Sequence, residues 1–496
     1  MNNNDNQDIK KSLKATSLFG GVQVFSILIS IVRNKIVAVL IGPTGVGVVE
    51  LYTSTVNLIK SFSDFSLQVS AVRDVSIAYK SGDVSNFIRT ASVVSRIVWF
   101  TGLLGLIICL LGSPFWSKLA FDDYSYTWGF AALSIVLLLN QLERGNTILL
   151  QSTEHYKYLA FSGVIGNLIG LLTTLPIYLF LGLEGIIPVL IITAATAYIL
   201  SYYYASKLKI TKEKLSKSFV LKKGKLMLQQ GFLISVNYLL SALIFYILRI
   251  FITDRGSVVE LGLFSAGFAV VNTYVGLVFQ AMAQEYYPRI SALSSQNDKL
   301  NSAVNNQIYL SLLILGPLIF IFLFFSDYLL SLLYSDKFVG ATLFMALSML
   351  GVVFQAPSWC MSYSILARGD NSIFLIFETV AKLQKLATDV FFYLIWGLTG
   401  LGISFIVSYI YYMLQCAYVC NKRNNLVLTR KAISMQILYF VFGCLILFTT
   451  SNITELCRII IGVIIIFISS GYSYYKLDSI IGLTSFVKNK FFVHDK

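Results

Sequence analysis

The chain has 496 residues, 56% of them hydrophobic and 12% charged, with a mean hydropathy of +0.75 and a formal net charge of +14. Soluble domains carry about 25% charged residues, so this composition excludes a soluble globular protein and describes an integral membrane protein. Two histidines, His155 and His494, and cysteines confined to apolar runs or their edges leave almost no material for histidine catalysis, a metal centre or a disulfide framework.

The chain opens on a polar stretch, MNNNDNQDIKKSLK, and no small-residue cleavage site follows the first apolar run, which predicts an uncleaved first helix. A membrane-spanning helix needs about 20 apolar residues. Fourteen such runs follow in order. Runs 15–40 and 46–65 come first, and 89–112, 128–150, 158–180 and 183–204 complete a group of six. The lysine-rich stretch KLKITKEKLSKSFVLKKGK (207–225) interrupts the series. Runs 231–253, 258–284, 306–326, 341–364, 373–395 and 398–420 form a second group, and 432–450 and 455–475 close it.

With the N-terminus inside, 27 of the 38 Lys and Arg residues fall in inside loops and tails, and four fall outside: Lys118, Arg255, Lys337 and Arg458. The other seven, Arg33, Lys35, Lys60, Arg96, Arg249, Lys382 and Lys385, lie within runs. The asymmetry predicts that both termini are cytoplasmic and explains the net charge without nucleic acid. The 207–225 stretch then reads as a solvated cytoplasmic loop beside anionic headgroups.

The two groups of six resemble each other. GVVEL (47–51) recurs as SVVEL (257–261), SKLAFDD (117–123) as SLLYSDK (331–337), ALSI (132–135) as ALSM (346–349), and GLEGI (182–186) as GLTGL (397–401). An even number of spans per unit makes these parallel repeats, one of the symmetries of secondary transporters. The expected fold is all-α: about 14 transmembrane helices, with two parallel six-helix repeats as two lobes around a central cavity. Lobe 1–206, basic loop 207–230, lobe 231–421 and an added pair of helices with a tail, 422–496, are the expected divisions.

Polar stripes mark the first two runs of each repeat. Gln23, Ser26, Ser30 and Arg33 share a helix face, with Lys35 close by; Glu50, Ser54, Asn57, Lys60 or Ser61, and Asp64 repeat the pattern. Run 231–253 offers Asn237, Ser241 and Arg249, and run 258–284 offers Ser265, Asn272, Gln280 and Gln284. Interhelical hydrogen bonds account for serines and asparagines. A charge at the bilayer centre costs roughly 2.5–3.5 kcal/mol on insertion scales, so Arg33, Lys35 and Arg249 ask for a wet cavity. Glu378, Lys382, Lys385 and Asp389, spaced 4, 3 and 4, can pair along one helix. That stripe reads either as self-neutralised packing or as a polar lining.

No G-x-x-x-x-G-K-[ST] is present, and GLTGLG (397–402) reads as a hairpin turn between spans. Short external loops leave little room for an enzyme's extracytoplasmic site, and in-span prolines at 176, 188, 317 and 357 suit a transporter that flexes.

The R-x-K pair before G-P-x-G-x-G in RNKIVAVLIGPTGVG (33–47) resembles the start of the Wzx-type O-antigen flippases of the multidrug/oligosaccharidyl-lipid/polysaccharide superfamily. YILRIFITDRGSVVELGLFSAGFAVVNTY (246–274) resembles the opening of their second lobe, and AYKSGD (78–83) their first cytoplasmic loop. Many such flippases have twelve spans; fourteen is the count in the related peptidoglycan-precursor flippase, whose last two helices form a lipid-tail groove. The resemblance implies a bacterial inner-membrane, monomeric protein moving an undecaprenyl-pyrophosphate-linked oligosaccharide from the cytoplasmic to the periplasmic leaflet. Membrane lipids and the polysaccharide polymerase and chain-length machinery are its implied partners. No cofactor is expected beyond an ion gradient of unnamed ion.

On that reading Arg33, Lys35, Lys60 and Arg249, with Asn57, Asn237, Asn272 and Gln280, hold the anionic headgroup, since Arg suits phosphate through its bidentate fork. Glu50 and Glu260 close an outer gate against Arg33 or Arg255. Two rivals are a multidrug antiporter, which would want an acidic cavity, and an O-antigen polymerase or ligase, which would need a long periplasmic loop.

Overall fold

A computed structural model describes residues 3–210, 213, 215–452 and 455–481, and all regular elements among them are helical. In chain order they are α1 (Asn3–Ser63), α2 (Leu67–Lys80), α3 (Val84–Leu111), α4 (Ser113–Phe121), α5 (Thr127–Ser152), α6 (Tyr156–Leu181), α7 (Ile186–Ser206) and α8 (Lys217–Arg255). Then follow α9 (Val258–Ala292), α10 (Asn297–Phe324), α11 (Ser326–Leu333), α12 (Thr342–Ala367), α13 (Asn371–Asn424), α14 (Arg430–Asn452) and α15 (Glu455–Ile481). The Gln23 and Arg458 side chains and His494 lie outside the described part.

Ten segments among the described residues are long and apolar enough to cross a membrane, which makes this a multi-pass membrane protein. Three of the ten are broken by a glycine that takes a positive φ. Gly42 (φ 64°, ψ −173°) interrupts α1 just before Pro43, which has no N–H to continue the helix. Gly182 (φ 55°, ψ −127°) separates α6 from a short 3-10 turn and α7, and Gly397 (φ 56°, ψ −138°) interrupts α13. Gly182 and Gly397 open the matched GLEGI and GLTGL motifs and share one backbone conformation, one that glycine alone adopts without strain.

Side chains prove that α13 is a hairpin. Thr388 bonds Ser408 (2.7 Å), Ser404 donates to Asp389 (2.6 Å), and Gln415 donates to the Phe377 carbonyl (3.2 Å). Partner positions advance in opposite directions along the chain, so the halves run antiparallel about Gly397, as the GLTGLG reading expected.

The chain forms two compact units. The first is Met1–Gly262 with Leu333–Ser335; the second is Leu263–Leu332 with Asp336–Lys496. In the first, α3 packs on α5, α5 on α7, and α6 on α1 and α7. Its core sets Tyr52 edge-on against Phe130 at 4.9 Å between ring centroids, with Phe121 and Tyr126 stacked on each other alongside. Helix α8 packs on α1, α2 and α3 within this unit.

Glycine permits the contact between the α1 and α9 ends. A Cβ at Gly47 would stand 2.0 Å from the Val258 carbonyl oxygen, and one at Gly262 would stand 1.9 Å from that of Pro43.

In the 207–225 stretch Lys207, Lys209, Lys222 and Lys225 are exposed, while its backbone is tied to the helices beside it. Ser216 caps α8, whose helix starts at Lys217, and the strand of chain before it is tied to α3. Arg96 donates to the Leu215 carbonyl (2.8 Å), Glu213 donates through its backbone to Ser92 (3.1 Å) and pairs with Arg89 (3.3 Å). Lys223 donates to Thr90 (2.7 Å), and burial there lowers its affinity for the proton.

In the second unit α10 carries α12, α14 and α15, and α12 carries α13. The last two helices are keyed into α10: the Tyr439 ring fills the space a Cβ at Gly316 would take, and Tyr309 bonds Tyr472 (3.2 Å).

Candidate functional site

The segment of α1 after Gly42 carries Glu50, Asn57, Lys60, Ser61 and, at its end, Asp64 at helical spacings. Its far end opens on a cavity of about 430 Å³ within the first unit, lined by Asn57, Lys60, Ser61, Asp64, Arg144 and Tyr238. Arg144 of α5 donates to Asp64 Oδ2 (2.7 Å), while Gln141 donates to Asp64 Oδ1 (3.0 Å) and to Thr101 (2.8 Å). Both oxygens of Asp64, which is 7% exposed, are therefore satisfied. None of the ion pairs among the described residues involves Lys60. The lining thus holds two cations, Lys60 and Arg144, against one acid, Asp64, with the half-buried Glu143 of α5 close enough to act on both cations from behind the lining.

The expected site residues separate into different places. Arg33 turns into the α6–α7 hairpin, where it donates to Thr193 (3.4 Å) beside Gly170, and it does not line the Lys60 cavity. Lys35 is half-buried on the same helix. Arg249 of α8 stands 2.6 Å from Glu50, a contact of charge without hydrogen-bond alignment, and its guanidinium lies 5.6 Å from the Phe245 ring centroid. Glu50 accordingly meets Arg249 and neither Arg33 nor Arg255, which pairs with its neighbour Asp254 (3.5 Å). The reason is local: α1 and α8 are bound by a hydrogen bond from Thr55 to Tyr246 (3.1 Å), which brings positions 50 and 249 face to face. Glu260 sits in the first turn of α9, capped by Ser257, where an acid is favoured by the helix dipole.

Asn237 is half-buried on α8; Asn272 and Gln280 are exposed on α9 in the second unit. The Glu378–Asp389 stripe closes on itself. Lys385 pairs with Asp389 (2.9 Å) and Lys382 with Glu378 (4.0 Å), and Ser404 and Tyr412 of the same hairpin donate to Asp389 and Glu378. Of the two readings of that stripe, packing within α13 is the one these contacts support.

Arg144 and Gln141 had been passed over. The charge count places Arg144 with the inside-loop cations although it lies within run 128–150, and helix α5 holds it just over two turns from its end. The signal was present: Gln141 and Arg144 are three apart, the same spacing that singled out the stripes of the first two runs.

A family model described as polysaccharide biosynthesis protein matches residues 36–343, more than half of the chain. The chain belongs to that family. Among curated proteins no sequence matches it. Solved structures share the fold of this polysaccharide biosynthesis protein at low identity. The lipid II flippase MurJ in an inward closed conformation superimposes with a TM-score of 0.68 at 15% identity, over 93% of this chain and 99% of that one. An inward-facing multidrug resistance MATE family transporter of the MOP superfamily gives 0.62 at 14% identity, over 80% and 95%. A MOP superfamily transporter from Pyrococcus furiosus, described by the reverse polarity of its binding pocket, gives 0.54 at 13% identity, over 88% and 96%.

Proposed function

We propose that this polysaccharide biosynthesis protein is a flippase for a lipid-linked oligosaccharide, moving a sugar unit on a polyprenyl pyrophosphate across the bacterial inner membrane. The observation that carries the reading is the polar cavity held by Lys60 and Arg144 inside an otherwise apolar helical unit. A pyrophosphate crossing a low-dielectric slab loses its hydration, and fixed cations with hydrogen-bonding neighbours offset that loss. Arg144 offers a planar fork, Lys60 a mobile point charge, and Asn57 and Ser61 neutral donors. The family's name and the MurJ-like fold support the same reading.

The lining's charge favours an anion over an organic cation, since the acid that lines it, Asp64, is paired with Arg144. Arg33 and Arg249 serve this scheme as a second tier, Arg249 being shielded by Glu50 and Arg33 by the α6–α7 hairpin. Alternating access driven by an ion gradient and cytoplasmic termini belong to the same proposal. A strain lacking the protein should accumulate one lipid-linked oligosaccharide, identified by mass spectrometry of extracted lipids, and lose its surface polymer. Normal surface polymer with no accumulated lipid would contradict the reading.

A further inference from the structure

Asp64 does two things at once. Its carboxylate accepts from Nη1, one arm of the Arg144 fork (2.7 Å), and its backbone opens a turn in which Phe65 (φ 50°) and Ser66 (φ 46°) both take the left-handed conformation. Such backbone is strained for a non-glycine residue and persists where the surroundings fix both ends. Here Arg144 and Gln141 fix Asp64, while the fully buried Leu67 fixes the start of α2 and donates its N–H to the Asp64 carbonyl (3.0 Å). Ser66 and Gln68, on the far side of the turn, line the same cavity as Lys60 and Arg144.

A phosphate that takes the Arg144 fork end-on, through both Nη atoms, needs the Nη1 that Asp64 uses. Two anions on one guanidinium repel each other, and the phosphate has the larger charge and Lys60 besides. We infer that Asp64 is a tethered stand-in for the substrate's phosphate: it holds Arg144 between transport cycles, gives way when pyrophosphate binds, and so frees the Phe65–Ser66 turn and the start of α2. This rests on the reading of the cavity as the phosphate site. The exchange keeps Arg144 paired throughout, and the freed turn lets the displaced carboxylate reach water, since a buried unpaired acid is costly. It also weakens substrate binding by the strength of the competitor, which lets the cargo leave.

The test uses full-length protein in nanodiscs and farnesyl pyrophosphate as the probe. Asp64→Asn should bind it more tightly by about fivefold or more, the lower end of coupling between competing ligands. Asp64→Glu, which keeps the competitor, should bind like wild type. In the wild-type protein, saturating probe should raise carbodiimide labelling of Asp64, read by mass spectrometry, because the carboxylate has left Arg144. Unchanged or weaker binding by Asp64→Asn overturns the stand-in role, and if that variant does not fold, unchanged or lower labelling of wild-type Asp64 does so. The double variant Lys60→Gln/Arg144→Gln separates the two claims. Loss of binding there leaves the cavity reading standing whatever Asp64 does, and wild-type binding removes both.

Discussion

Arg249 of α8 and Glu50 of α1 stand 2.6 Å apart, with 18% and 24% of their side-chain surfaces exposed. Neither charge sits comfortably in an apolar helix pair without the other. Removing one partner of a fully buried pair costs about 3–5 kcal/mol, and these residues, being partly wet, should fall below that. Glu50→Gln and Arg249→Gln should each lower the melting temperature of the purified protein, and the double variant should recover part of the loss. Strictly additive losses would mean that the two residues do not support each other.

The broken helix α13 offers a cleaner backbone test. No atom lies within 4 Å of a Cβ at Gly397 or at Gly163, so an added methyl clashes at neither. Gly397 has φ 56° and ψ −138°, and Ala there should cost of order 1–3 kcal/mol. Gly163 lies inside helix α6, and Ala there should be neutral or stabilise by up to about 1 kcal/mol. Equal melting temperatures for Gly397→Ala and Gly163→Ala would remove the turn from the account.

In the second unit, Asp389 is 2% exposed and accepts from Lys385 and Ser404. Asp389→Asn weakens the partner of the Lys385 ammonium, which is 26% exposed, and should cost less than the about 3–5 kcal/mol of a fully buried pair, whereas Lys385→Met/Asp389→Leu together should be milder still. Surface polymer per folded molecule should stay near normal in the double variant. A selective loss of export with full protein levels would place the stripe in the transport path.

Much of the architecture was written in the sequence because lipid demands long apolar helices and leaves little freedom in where they end. The turns at Gly182 and Gly397 were legible as matched motifs for the same reason. Charge partners were not legible. Arg33, Lys60 and Arg249 looked alike as cations in apolar runs, yet Arg33 meets Thr193, Lys60 faces a cavity and Arg249 meets Glu50, because partners come from helices distant in the chain. Arg144 was missed because it lies near the end of its run, where loop and helix are indistinguishable by composition.

Orientation rests on the excess of inside Lys and Arg. Single cysteines at Ser125, between α4 and α5, and at the exposed Lys222 of α8 should react with an impermeant thiol reagent from opposite sides. The background should lack Cys444, which is exposed. Labelling of both from outside intact spheroplasts would reverse the assignment of one of them. Lys222 is preferred to Ser216, whose hydroxyl caps α8.

The central claim is that Lys60 and Arg144 hold the anionic headgroup of the cargo. Its most direct test is surface polysaccharide in a deletion strain complemented with Lys60→Ala, Arg144→Ala or Arg144→Lys, with membrane protein quantified in each. Both alanine variants should lose most export at near-normal protein levels, and Arg144→Lys should retain part of it, since the charge survives and the fork does not. Full export by Lys60→Ala and Arg144→Ala would contradict the account.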